Sequence, residues 1–97
     1  MNLATQEEIE NLLSQGWMLS KDNNRLERDF QLADFAATFS LMSQVAERAE
    51  AMNHHPDWSN SYNRLKIRLT THSLGAITSK DIELAEQIEA LAQNMLQ

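Results

Sequence analysis

Cysteine is absent from this chain, proline occurs once and glycine only twice. Without cysteine there is no disulfide framework and no thiolate nucleophile. Two glycines cannot build the loops that cradle phosphates or dinucleotides, and the scarcity of both glycine and proline leaves little room for flexible linkers. No apolar run approaches the roughly 20 residues of a membrane span. The acidic start, with Glu7, Glu8 and Glu10, does not read as a signal peptide. Basic residues are also scarce, with eight Lys and Arg against fourteen Asp and Glu and a formal charge of −6. Nucleic-acid binding draws most of its affinity from cations on phosphates, so no direct nucleic-acid partner is expected. The chain reads as a soluble, cytoplasmic protein with a single domain over residues 1–97. It is small enough that association would help its stability.

What is present alternates between two periodicities. Thr5 and Glu8 form a capping-box pattern ahead of Ile9, Leu12 and Leu13, and Gly16 stops that first helix. Trp17 to Lys21 reads as a short strand, Asp22-Asn23-Asn24 as a turn, and Arg25 to Gln31 as the returning strand. Residues 32–52 carry the longest helical pattern. Phe35, Phe39, Met42, Ala46 and Ala49 form its main stripe, with Leu41, Val45 and Met52 as a weaker one beside it. A helix apolar over so wide an arc is expected to pack on its own sheet and also on a partner chain.

Pro56 breaks that helix and pushes His55 toward extended geometry. Trp58 to Tyr62 reads as a third strand and Arg64 to His72 as a fourth, with Leu65, Ile67 and Leu69 on one face. The stripe Arg64, Lys66, Arg68 on the other face reads as a solvated sheet surface. Thr78 caps a last helix with Asp81 at its third position, and Ile82, Ala85, Ile88, Leu91, Ala92 and Met95 form its buried stripe. The expected fold is α+β, in the order α-β-β-α-β-β-α, a four-stranded antiparallel sheet with three helices on one face.

The chemistry concentrates in Glu50-Ala51-Met52-Asn53-His54-His55-Pro56-Asp57-Trp58, joined by His72. Adjacent imidazoles in extended backbone point apart and do not easily chelate one ion, and there is no HExxH or CxxC spacing, so a metal site is not expected. No serine sits in a GxSxG elbow. General acid–base catalysis suits these residues better: histidines pass protons near neutral pH, and Trp58 and Tyr62 could wall a planar heterocycle. Glu50, one helical turn before His54, could fix an imidazole tautomer, and Asp81 could orient another. The competing reading is that His54 and His55 merely end a helix, where cationic side chains favour the dipole.

The run Glu50-x-x-x-His54-His55-Pro56-x-Trp58, followed by Tyr62-Asn63, Thr71-His72 and Asp81-Ile82-x-Leu84-Ala85, resembles the pterin-4a-carbinolamine dehydratases. The likeness extends upstream through Gly16-Trp17, Phe30 and the Phe35–Phe39–Met42 helix. Departures fall at Ser59, Ser61 and Ala76, away from the histidines. The resemblance implies a hydro-lyase that dehydrates 4a-hydroxytetrahydropterin to quinonoid dihydropterin and so recycles the cofactor of aromatic amino-acid hydroxylases. The pterin is substrate, and no metal or organic cofactor is implied. The family's functional histidines fall on His54, His55 and His72, with Glu50, Trp58 and Asp81 at supporting positions. On this basis His54 and His72 are expected at the reacting atoms, with His55 positioning the ring and Asp81 orienting His72. A homodimer or homotetramer is expected through the 32–52 helix and the sheet edges. The alternative from another class is an interaction module, a dimerisation or transcriptional cofactor acting through the central helix.

Overall fold

Seven elements follow one another in the expected order in the computed structural model, which describes residues 2–96. They are α1 (Gln6–Leu13), β1 (Met18–Leu19), β2 (Leu26–Gln31), α2 (Phe35–Met52), β3 (Asp57–Ser61), β4 (Arg64–Leu69) and α3 (Ser79–Gln93). The strands form one antiparallel sheet in the order β1-β2-β4-β3. Leu26, Phe30, Leu65, Ile67 and Leu69 turn to the helix side, where Leu12, Leu41, Val45, Leu84 and Ile88 meet them in one core. No helix among the described residues is long and apolar enough to cross a membrane.

The other sheet face is open and charged. Arg64, Lys66 and Arg68 stand opposite Gln31, Asp29 and Glu27 on one side and Ser61, Ser59 and Asp57 on the other. Lys66 Nζ lies 4.0 Å from Asp29 Oδ1. Cross-strand partners of opposite charge make this a solvated surface, as the alternation predicted.

Two expectations about α2 are corrected. The helix begins at Phe35, not Leu32, because the Asp34 side chain accepts the Ala37 N–H at 2.8 Å and caps it there. Leu32 instead exchanges hydrogen bonds with Asn63 across the sheet end. The main stripe is only partly as expected: Ala49 is buried and Met42 packs half-buried against the core, but the inward row is centred on Leu41 and Val45. Thr38, Leu41, Val45 and Ala49 face the core, whereas Phe35 and Phe39 stay exposed, their rings stacked at 5.9 Å. Leu41 and Val45 enter the core shared with the sheet and α3, and the larger phenylalanines remain outside.

A buried polar cluster ties both ends of the chain to the sheet. Glu89 of α3 accepts Trp17 Nε1–H at 2.8 Å, Arg28 at 3.0 and 3.1 Å, and the Gln93 amide at 2.6 Å. Gly16 permits this approach: its φ is +113°, and a Cβ there would lie 2.8 Å from the Arg28 guanidinium carbon. Burial pushes the Glu89 carboxyl up, but the hydrogen bonds from Arg28 and Gln93, the Arg28 charge and the Trp17 indole outweigh it and hold it below 4.5. Glu89→Gln should destabilise the fold by on the order of 3 kcal/mol at neutral pH, because Arg28 loses its charged partner. A carboxylate lowered on folding stabilises above its unfolded pKa and loses that contribution as pH falls. In thermal melts the gap between parent and variant should therefore shrink below pH 4.5. A gap independent of pH would exclude Glu89 as its source.

Candidate active site

Local sequence decides where each histidine goes. α2 ends at Asn53, whose φ of 50° and ψ of 44° are left-handed, a conformation asparagine tolerates better than most residues. The His54 N–H then bonds back to the Ala49 carbonyl at 3.0 Å, and the chain leaves the helix axis. This turn carries His54 inward, toward the start of α3. Its neighbour His55 stays outside, over the last turn of α2.

The three imidazoles take three different carboxylates. His54 Nε2–H donates to Asp81 Oδ1 at 2.6 Å, with the His54 side chain 11% exposed and Asp81 wholly buried. His55 Nε2 meets Glu50 Oε2 at 2.5 Å on the surface, and His72 Nε2 lies 3.3 Å from Asp57 Oδ2. Two expected pairings are thereby corrected. Glu50 serves His55 rather than His54, because the i,i+4 geometry needs a helix that Asn53 has already ended. Asp81 serves His54 rather than His72, which stands exposed in the turn after β4.

Asp81 is fixed from behind. It closes the capping box of α3 by accepting the Thr78 N–H on Oδ2 at 2.9 Å, and the same oxygen accepts the Thr71 hydroxyl at 2.8 Å. Thr71 and Thr78 hydroxyls share a further bond of 2.7 Å. The N-terminal segment clamps the turn, through Ala4 N–H to the Ile77 carbonyl at 3.0 Å and Ser79 N–H to the Asn2 carbonyl at 2.8 Å. A buried carboxylate with this many fixed donors has one orientation, and it imposes one on His54.

His54, His55 and His72 line a common open depression of about 320 Å³, with Asn53, Thr70, Thr71, Ser73 and Lys80. Trp58 does not line it: on β3 it stands opposite Ile67 and packs against the core. Tyr62 sits in the two-residue β3–β4 turn with φ 52°, at the far end of β3 from His55. The expected aromatic wall is therefore absent from this depression, because strand parity sends Trp58 to the helix side. Sequence reasoning gave no role at the site to Asp57, Thr71 or Lys80. Asp57 stood within the His-Pro-Asp-Trp run, and Thr71 directly before His72, so proximity in sequence was the only signal. Among the described residues, no group of three or more His, Asp or Glu side chains is placed to hold a metal ion.

The combination of one buried His–Asp pair with two exposed imidazoles suits proton transfer to a ligand bound in the depression. The family model for pterin 4 alpha carbinolamine dehydratase matches residues 2–91. A Solibacter usitatus protein bearing the family name is 47% identical over 91% of this chain and 93% of its own length. The Drosophila melanogaster pterin-4-alpha-carbinolamine dehydratase is 41% identical over 89% of this chain, which spans 45% of that longer protein. The crystal structure of a transcriptional coactivator/pterin dehydratase from Brucella melitensis superposes with a TM-score of 0.84 at 36% identity, over 94% of this chain and 99% of that one. Sequence, backbone and the order of its elements agree: the chain belongs to the pterin-4-alpha-carbinolamine dehydratase family.

Proposed function

We propose that the chain removes water from 4a-hydroxytetrahydropterin to give quinonoid dihydropterin, with His54, His55 and His72 handling the protons. In this role it recycles the pterin cofactor of aromatic amino-acid hydroxylases. Hydroxide is a poor leaving group, so an acid must protonate the 4a-oxygen as the C4a–O bond breaks. A base must take the proton from a ring nitrogen, whose electron pair then forms the new double bond. Water and the quinonoid product account for every atom of the substrate.

The observation that carries this reading is the buried His54–Asp81 bond of 2.6 Å. With Nε2–H committed to Asp81, the neutral ring keeps a lone pair on Nδ1, which suits His54 to the role of base. His72, exposed beside the Asp57 carboxylate, suits the acid, and His55, held by Glu50, positions the ring. Loss of chemically generated 4a-hydroxytetrahydropterin should be faster with the purified chain alone than without it. Decay at the uncatalysed rate would overturn the reading.

Self-association through α2 belongs to the same proposal. Phe35 and Phe39 present a stacked, exposed apolar pair on its outer face, and a 97-residue chain gains from covering it. Light scattering should report a homodimer or homotetramer, and Phe39→Asp should reduce it to a monomer. A strictly monomeric parent at micromolar concentration would remove this part. The same face would serve a cofactor for another protein, the role named for the Brucella melitensis relative. Dehydration without any partner favours the enzyme as the primary function.

A further inference from the structure

The depression at the histidines, about 320 Å³, is at the low end of what a small-molecule site needs. It does not end at His72. Thr70 and His72 are also walls of a second depression of about 170 Å³, whose other sides are Asn24, Arg25 and Gly75. A ligand whose ring fills the first can extend a substituent past His72 into the second.

Each part of this route carries one cation. Lys80 stands on the histidine side and Arg25 on the far side, both half-buried. Among the described residues, neither head group meets a carboxylate within ion-pair distance, while Asp57 and Glu50 are engaged by His72 and His55. In a chain with fourteen acidic residues against eight basic ones, partner carboxylates are plentiful. Arg25 is also held in place through its backbone. Ser20 N–H donates to its carbonyl at 2.9 Å, and its own N–H donates to Ser20 Oγ at 3.1 Å. The Thr70 hydroxyl donates to the Asn24 carbonyl at 2.7 Å and pins the turn against the end of β4. Gly75, with φ +60° and no atom within 4 Å of the place a Cβ would take, leaves the opposite wall open.

We infer that Arg25 and Lys80 select a pterin whose side chain is anionic, the ring lying against the histidines and the phosphate or carboxylate running past His72 to Arg25. This names the substrate class of the site and rests on the pterin reading of it. A guanidinium gives an anion two parallel donors, and a part-buried groove screens the attraction less than bulk water does.

Dihydroneopterin and its monophosphate form a matched pair of probes that differ only in the charged group. Titration by tryptophan fluorescence or calorimetry should find the monophosphate bound at least ~10-fold more tightly, the scale of one hydrogen bond to a charged group. Arg25→Gln should bring that ratio close to one, and Lys80→Gln should lower it. Lys66→Gln, a cation on the open sheet face, should leave the ratio as in the parent. Equal or weaker binding of the monophosphate by the parent would overturn the inference. So would a preference that survives both Arg25→Gln and Lys80→Gln, or no binding of either probe. Turnover of the two corresponding 4a-hydroxy compounds separates the two readings. Preferential binding without any dehydration overturns the enzyme assignment alone, and dehydration of both with equal kcat/KM and equal affinity overturns only the charge selection.

Discussion

His54→Ala is expected to lower turnover of 4a-hydroxytetrahydropterin at least ~100-fold, the usual scale for loss of a positioned general acid or base. Of the three imidazoles, only this one pairs with a fully buried carboxylate, so its orientation is fixed before substrate arrives. Fixed orientation is what converts a surface histidine into a catalyst, since a mobile ring must be ordered again in every cycle. The alanine variant also leaves Asp81 Oδ1 without a donor, which should lower stability by ~1–3 kcal/mol. His54→Gln separates the two effects: its amide can donate to Asp81 but cannot accept and release a proton near neutral pH. Turnover lost in both variants, with the glutamine variant melting near the parent, assigns the loss to proton transfer. His72→Ala should show a comparable loss with little change in melting, because the His72 side chain is exposed and its ion pair with Asp57 lies at the surface. Parent-like dehydration by both His54→Ala and His72→Ala would end the assignment.

Much of the fold was legible because its determinants are local. Thr5 with Glu8, and Thr78 with Asp81, are capping boxes written within four residues of chain, and both appear as expected. The alternation Leu65, Ile67, Leu69 likewise defines which face of β4 is buried. The α2 stripes were not legible in the same way. Phe35–Phe39 and Leu41–Val45 have the same helical period, and periodicity alone does not say which row meets the chain's own sheet and which is left for a partner. The largest side chains of the helix, Phe35 and Phe39, lay outside, which hydrophobicity taken by itself would not suggest.

At the site the residue types were legible and their pairings were not. The run around His54 and His55 marks a proton-transfer cluster, but assigning Glu50 to His54 assumes that the helix continues. Asn53 breaks that assumption with a single left-handed residue. The His54–Asp81 bond joins residues 27 apart in sequence, and the Thr71 hydroxyl behind it is 10 residues from Asp81. Such contacts depend on how the sheet end, the α2 terminus and the start of α3 converge, which no spacing rule encodes. Asp57 illustrates the same limit at short range. It lies two residues from His55, yet strand geometry gives it to His72.

Asp81 therefore carries the prediction that most sharply separates fold from function. Asp81→Ala removes the acceptor for three donors at once: the Thr78 N–H, the Thr71 hydroxyl and His54 Nε2–H. A lost capping interaction costs about 1 kcal/mol. Each buried donor left without a partner adds roughly 1–3 kcal/mol. The Thr78 N–H counts as the cap, and Thr71 and His54 are the two donors left over. The total of ~3–7 kcal/mol is a large fraction of the 5–15 kcal/mol that typically separates folded from unfolded chains, so this variant should unfold at a clearly lower temperature or denaturant midpoint. Asp81→Asn behaves differently. Its remaining oxygen can still accept from Thr71 and Thr78, so most of the stability should survive. Its amide nitrogen then faces His54, donor against donor, and only the tautomer with the proton on Nδ1 relieves the conflict. That tautomer puts a proton on Nδ1 and removes the lone pair assigned to the base. Turnover should fall at least ~100-fold in a protein that still folds, and nitrogen NMR of the imidazole should register the change of tautomer. An Asp81→Asn chain with parent-like turnover would mean that Asp81 only caps α3, and that His54 needs no fixed partner to react.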